Sequence, residues 1–213
     1  MTKQDAAENL KLLDARLQRD DEDRWLSSRY APLQARQKLI VLYALNLELA
    51  KVRTIVSEPG LGAIRFQWWR DALGELEHGR PPRKHDVVLA VSNQALAIEA
   101  GLQLIEGHEA AFEANDRGQE PEGILMQTAA SLLVPGQTWE PHIKELAPAY
   151  AAARRGETSD EHPGEPLVVP TVPTPLRPAI CHAVLRGAYQ YGKRPGPLRK
   201  RFAIMRAMLT GKI

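Results

Sequence analysis

The longest regular pattern of apolar positions runs from Leu39 to Glu58. Leu42, Leu45, Leu49, Val52 and Val56 recur there at steps of three and four, which predicts a helix with one buried face. Pro59-Gly60 is expected to end it. Asn46, Ala50 and Thr54 stack four apart along one line beside that stripe. Before this segment, residues 3–18 set Ala7, Leu10, Leu13, Ala15 and Leu17 among charges and predict a first helix. Arg19 to Arg24 reads as a charged, solvated link in which Asp20 or Asp21 caps the next helix. After a turn at Pro59–Gly62, a second amphipathic helix is predicted over about 63–77, with Trp68 and Trp69 unable to face inward together. Asp71 and Glu75, one turn apart, fall among mixed charges and read as a solvated face.

Further on, helices are predicted over about 86–99 and 102–113, separated near Gly101. Asn115 to Gly118 reads as a turn, and Glu120-Pro121-Glu122 as the start of a helix through Leu133. A break at Val134–Thr138, with Thr138 as cap, precedes a helix from Trp139 to Arg155 that Pro148 should kink. Six prolines between Pro163 and Pro178 make 157–178 a loop of extended segments that straps the surface. Helix resumes over 178–191, and 192–213 ends in a basic amphipathic helix with Leu198, Phe202, Met205 and Leu209 on one face.

Composition narrows the class. At 213 residues and 44% hydrophobic, the chain reads as one domain over 1–213 with enough apolar material for a core. No apolar run approaches the ~20 residues of a spanning helix, and Met1 to Asp5 lacks a signal-peptide core, so a cytoplasmic location is expected. The single cysteine, Cys181, excludes an intrachain disulfide and reads as a buried, inert thiol. The net charge of +2 conceals an asymmetry: nine cations and no acid follow Glu165, leaving −7 for residues 1–165. A basic C-terminal helix suits packing on the fold with its charges in water, or an anionic membrane surface at the periphery of the inner membrane. No nucleic-acid module accompanies the basic third. The six histidines lack metal-ligand spacing, and phosphate-loop, dinucleotide and H-E-x-x-H motifs are absent.

Tyr43-Ala44-Leu45, the helix that follows and Arg65 to Leu73 resemble the opening of the squalene/phytoene synthase family, and Trp25-Leu26 through Pro32 matches its first segment. The resemblance implies an all-α, isoprenoid-synthase-like bundle, abridged, of roughly eight helices around a central cavity. In active members two aspartate-rich motifs hold Mg²⁺ against a prenyl diphosphate. The matching positions here are Ala50, Lys51 and Thr54 in the first motif and Arg155, beside Arg154, in the second. Mg²⁺ wants oxygen ligands in octahedral geometry. A methyl group supplies none, and an ammonium or a guanidinium repels the ion. The stretch Asn46 to Val52, with Glu58, Gly62 and Arg65–Trp69, is more similar to a divergent branch, the mitochondrial complex I assembly factor 6 family and its bacterial relatives.

That likeness implies a non-catalytic binding or assembly protein, with no catalytic residues, no metal and no cofactor. Its partner would be a protein, such as a respiratory complex subunit. Tyr43, Asn46, Glu48, Arg65, Trp69 and Arg154 are the candidates for a residual pocket or partner contact: Tyr43 and Asn46 lining the cavity, Glu48 neutralising Arg65 or Lys51, Trp69 anchoring an interface. Arg154 and Arg155 suit either a phosphate or the dipole of their own helix. A second reading is an active Mg²⁺-dependent prenyltransferase, for which Asp71, Glu75 and Glu48 are the nearby acids. A third is an isoprenoid carrier with a purely apolar cavity.

Overall fold

The computed structural model describes residues 2–56, 58–94, 96–115, 121–156, 167, 169–189 and 194–213, and among these the chain is helical without a strand. α1 (Lys3–Asp20) opens on a capping box: Thr2 Oγ1 accepts from the Asp5 amide at 3.1 Å while Asp5 Oδ2 accepts from the Thr2 amide at 2.8 Å. It is followed by α2 (Glu22–Ser28), α3 (Leu33–Ile55), α4 (Pro59–Glu77), α5 (Asp86–Gln94) and α6 (Ile98–Glu113). The second half holds α7 (Glu122–Leu133), α8 (Glu140–Ile143), α9 (Leu146–Arg155), α10 (Arg177–Ile180) and α11 (Pro197–Thr210). Short 3₁₀ turns at Thr174–Leu176 and Cys181–Ala188 flank α10.

α3 is the axis of the fold, and it is buried more completely than its periodicity predicts. Leu39 to Leu45 are seven consecutive buried residues, so this stretch faces protein on every side. α1, α2, α5, α6 and α7 pack around it, with α4 against α3 and α6. Past Leu45 only Leu49 and Val52 of this helix stay in the core. Asn46, Glu48, Ala50, Lys51 and Arg53 are half-buried, and Thr54 and Ile55 are exposed.

Several boundaries differ from expectation for identifiable reasons. Pro59 does not merely end α3; it takes the first turn of α4, where its missing amide costs nothing. The turn expected at 59–62 is therefore helix. Gly101 does not break a helix either. A Cβ there would lie 2.7 Å from Leu73 Cδ1, so the glycine lets α6 press against α4. The break falls instead at Leu96-Ala97. The long helix expected over 139–155 is two, because α8 ends at Ile143 and Pro148 sits in the first turn of α9. No side chain caps α8, so Thr138 does not fill that role. Part of the proline-rich span is helical, since Pro175 and Pro178 lie in the opening turns of the 3₁₀ turn and α10. Its remainder over 157–166 and 168, the turn from Asp116, and residues 190–193 lie outside the described residues. Cys181 is fully buried, and burial pushes its thiol up to about 12.

Candidate functional site

Where α3 emerges from the core, a cavity of about 270 Å³ opens between it, the α1–α2 junction, α6, α7 and α9. Asn46, Leu47, Ala50 and Arg53 form its α3 wall, His108 comes from α6, Glu122 from α7, and Arg154 and Arg155 from the last turn of α9. Asp21 and Arg24 close the remaining side. Ala50 and the Arg154–Arg155 pair are a hundred residues apart in sequence, yet they face one space. These are the positions at which the two metal-binding motifs of the synthase resemblance would meet.

Arg24 organises the charges. Its guanidinium, only 3% exposed, pairs with Asp21 and with Glu122, themselves 2% and 5% exposed. The rings of Tyr43 and Tyr150 flank it, with centroids 6.0 and 5.7 Å away. Arg154 Nη1 reaches Asp21 Oδ1 at 3.3 Å from the rim. Burial alone would raise the carboxyl pKa of Asp21, but Arg154 and Arg24 outweigh it and hold the acid well below the usual carboxylate range. Glu122 follows the same logic: burial opposes its charge, and Arg24 restores it. His108 donates from Nε2 to Asn46 Oδ1 at 2.9 Å, and burial drives its pKa down to about 3, so the imidazole is neutral. Four guanidiniums therefore face two carboxylates, both of them held by arginine. Such a lining opposes a divalent cation and favours an anion.

A second cluster backs the first. Asp23, 1% exposed, accepts hydrogen bonds from Tyr150 Oη at 3.0 Å and Tyr189 Oη at 2.6 Å, and Lys200 Nζ pairs with it at 2.9 Å. Burial opposes the Lys200 charge, but the contact with Asp23 raises its pKa above the usual lysine range. Thus α2, α9, Tyr189 at the end of the 181–188 turn and α11 are tied at one buried carboxylate.

The expected site residues divide between two places. Asn46, Ala50, Arg154 and Arg155 line the cavity. Tyr43 does not; it lies behind the cavity, fully buried, beneath Arg24. Lys51 turns to the other flank of α3, and Thr54 points outward, its hydroxyl bonded to the Lys51 carbonyl at 3.2 Å. On that flank Glu48, Lys51, Ile55, Arg65, Trp68, Trp69 and His85 line a groove of about 400 Å³. Trp69 is buried and Trp68 half-buried, at right angles with centroids 5.0 Å apart. Glu48 pairs with Lys51 at 2.7 Å and with Arg16 at 2.9 Å, so Arg65 is not its partner. Asp71 and Glu75 lie apart from both places, near Arg83, which binds Glu75 at 2.8 Å. The three acids that a replacement metal site would need do not converge.

The residues that sequence reasoning missed are Asp21, Asp23 and Arg24, taken for a solvated link, along with Glu122, His108 and Arg53. A signal was present. Leu13 and Leu17 are the buried stripe of α1, and continuing its steps leads to Asp21, Arg24 and Ser28, all buried.

A family model described as squalene/phytoene synthase matches residues 17–132. That span contains the α3 wall, Arg24 and Glu122 but stops short of α9, so the placement of Arg154 and Arg155 opposite Ala50 is independent of it. Among curated proteins, the chain is similar to "NADH dehydrogenase (ubiquinone) complex I, assembly factor 6" from Homo sapiens, 32% identical over 147 residues. It is 29% identical over the same length to those of Bos taurus and Mus musculus. Each alignment covers 66% of this chain and 44% of the relative, so the chain spans less than half the length of these curated relatives. No solved structure matches.

Proposed function

The chain belongs to the squalene/phytoene synthase family, and from that premise we propose that it is a non-catalytic member, a binding protein that assists assembly of a respiratory complex resembling complex I. One observation carries the reading. At the cavity where the family's chemistry would require carboxylates on two helices, α3 presents the Ala50 methyl group and α9 presents two guanidiniums. The acids that remain there, Asp21 and Glu122, are committed to arginine. Among the described residues of this cavity, Mg²⁺ finds no carboxylate outside an arginine pair to replace its water. The polar lining likewise does not suit an isoprenoid tail. The names of the relatives support the assembly role.

The partner surface of this reading is the groove on the far flank of α3. It combines an apolar floor of Val52 and Trp69 with exposed Ile55 and Arg65 at its edge. Aromatic and arginine side chains around a concave apolar patch are the residues that anchor protein interfaces. Among the described residues no helix is long and apolar enough to cross a membrane. The protein would work in the cytoplasm, at the periphery of the inner membrane where such a complex is built.

The test is complementation. In cells from which the protein has been deleted, assembled NADH-oxidising complex is quantified in membranes after return of the normal chain or of the Arg65→Glu and Ile55→Asp variants. The reading expects loss of the complex on deletion, recovery with the normal chain, and poor recovery with the groove variants. Normal complex levels in the deletion would overturn it.

A further inference from the structure

α11 is turned the wrong way round for a helix that simply completes a core. Its inward face is small, with Ile204 and Ala207 buried, while Leu198, Phe202 and Leu209 are 73%, 67% and 73% exposed and Met205 is 41% exposed. Steps of four, three and four place these side chains in one stripe, spanning about 16 Å of helix at ~1.5 Å per residue. This orientation is built in. Lys200 on the inward side is clamped by Asp23 at 2.9 Å and Glu22 at 3.3 Å. At the other end, Arg177 Nη1 donates to the carbonyls of Met208 at 2.8 Å and Leu209 at 3.1 Å. The chain then turns through Gly211 at φ 71°, whose carbonyl accepts from the Val172 amide at 2.8 Å. A helix held at both ends cannot roll to hide the stripe.

The borders of the stripe are cationic. Arg201 lies on one side, and Arg206 and Arg199 on the other, all exposed, and α11 contains no acid. The apolar surface continues onto α2 and the turn after it, where Trp25, Leu26 and Tyr30 line a depression of about 450 Å³ shared with Leu198, Phe202 and Met205. Tyr30 is 48% exposed. Trp and Tyr beside an apolar ridge, with arginines along its edges, form the arrangement that sits at the level of lipid headgroups.

We propose that the outward face of α11, with Trp25 and Tyr30, docks this protein flat on an anionic phospholipid bilayer. A single helical ridge is narrow for a protein partner, since a stable interface buries about 800 Å² on each side. A bilayer receives a ridge of this shape without a complementary groove, and its phosphates pair with the flanking guanidiniums. The inference rests on the exposed faces of α11 and its neighbours Trp25 and Tyr30, and does not depend on the assembly reading.

The experiment is co-sedimentation of the full chain with vesicles of phosphatidylcholine, alone or mixed with phosphatidylglycerol. Binding to the mixed vesicles is expected, with little to the neutral ones and a decline as salt is added. Arg199→Gln with Arg206→Gln should weaken it about 25-fold, at roughly fivefold per cation near the surface. Phe202→Ser with Leu209→Ser should abolish it, while circular dichroism and the thermal midpoint stay unchanged because both residues are exposed. Three results would overturn the proposal: no binding to anionic vesicles, equal binding to neutral ones, or a solution dimer that Phe202→Ser converts to monomer.

Discussion

Replacing Arg24 with methionine keeps an apolar stem in place of the side chain's inner half and deletes its charge. Asp21 would still have Arg154 at 3.3 Å. Glu122 would lose the guanidinium it pairs with, while His182 Nε2 stands 3.9 Å away and burial keeps that imidazole below its ordinary pKa. Breaking a buried pair in this way costs about 3–5 kcal/mol, since the partner's charge is left unsolvated. The pH dependence identifies the cause. In the normal protein the Glu122 carboxyl is depressed to about 2. Its contribution to stability is therefore present above the unfolded value of about 4.3 and is lost as pH falls through the folded one. In Arg24→Met the carboxyl is raised by burial, so the sign reverses, and stability falls as pH rises above about 4.3. Urea denaturation followed by tryptophan fluorescence between about pH 4 and pH 7 reads both effects. Adding Glu122→Gln should recover most of the loss near pH 7. A variant within about 1 kcal/mol of the normal protein near pH 7, or one with the normal pH slope, would refute the claim that Arg24 neutralises buried acids.

Other expectations follow from the same geometry. Lys200→Met should destabilise by roughly 2–4 kcal/mol, because Asp23 loses its counter-charge, and amide exchange should rise first in α11. Gly62→Ala places a Cβ about 2.1 Å from Phe112 Cε1, so the ring must be displaced from its packing between α4 and α6; a loss of about 1–3 kcal/mol in chemical denaturation is expected. Cys181 should resist a thiol reagent in the native protein and react only in denaturant, as its burial and raised pKa require. Rapid native labelling would contradict the packing around α10.

The apolar half of this structure was legible in sequence, while the charged half was not. α3 and its neighbours announce themselves through Leu, Val and Ala at helical spacing. The same pattern understated how deeply α3 is buried, because Tyr43 and Ala44 fall outside a single stripe. Asp21-Glu22-Asp23-Arg24 reads as solvent-facing because isolated charges seldom enter a core. What reverses that reading is a set of partners supplied from far along the chain: Glu122 for Arg24, Arg154 for Asp21, Lys200 and two tyrosines for Asp23. No local window contains such pairs. Glycine and proline misled in a related way. Gly101 and Pro59 look like breakers, but tertiary contact made one a site of close approach and helix geometry made the other a first-turn residue. Of the candidate site, Ala50 and Arg155 were found through the carboxylates they lack and Arg154 through the arginine the resemblance keeps, whereas His108 and Arg53 carry no mark of their position.

On the proposed reading, the cavity beside Ala50 no longer supports metal-dependent diphosphate chemistry. The direct measurement is pyrophosphate release by the purified full chain incubated with farnesyl or geranylgeranyl diphosphate while Mg²⁺ is titrated in. Release no faster than in buffer is expected at every Mg²⁺ concentration. Release that rises and saturates with Mg²⁺ would contradict it.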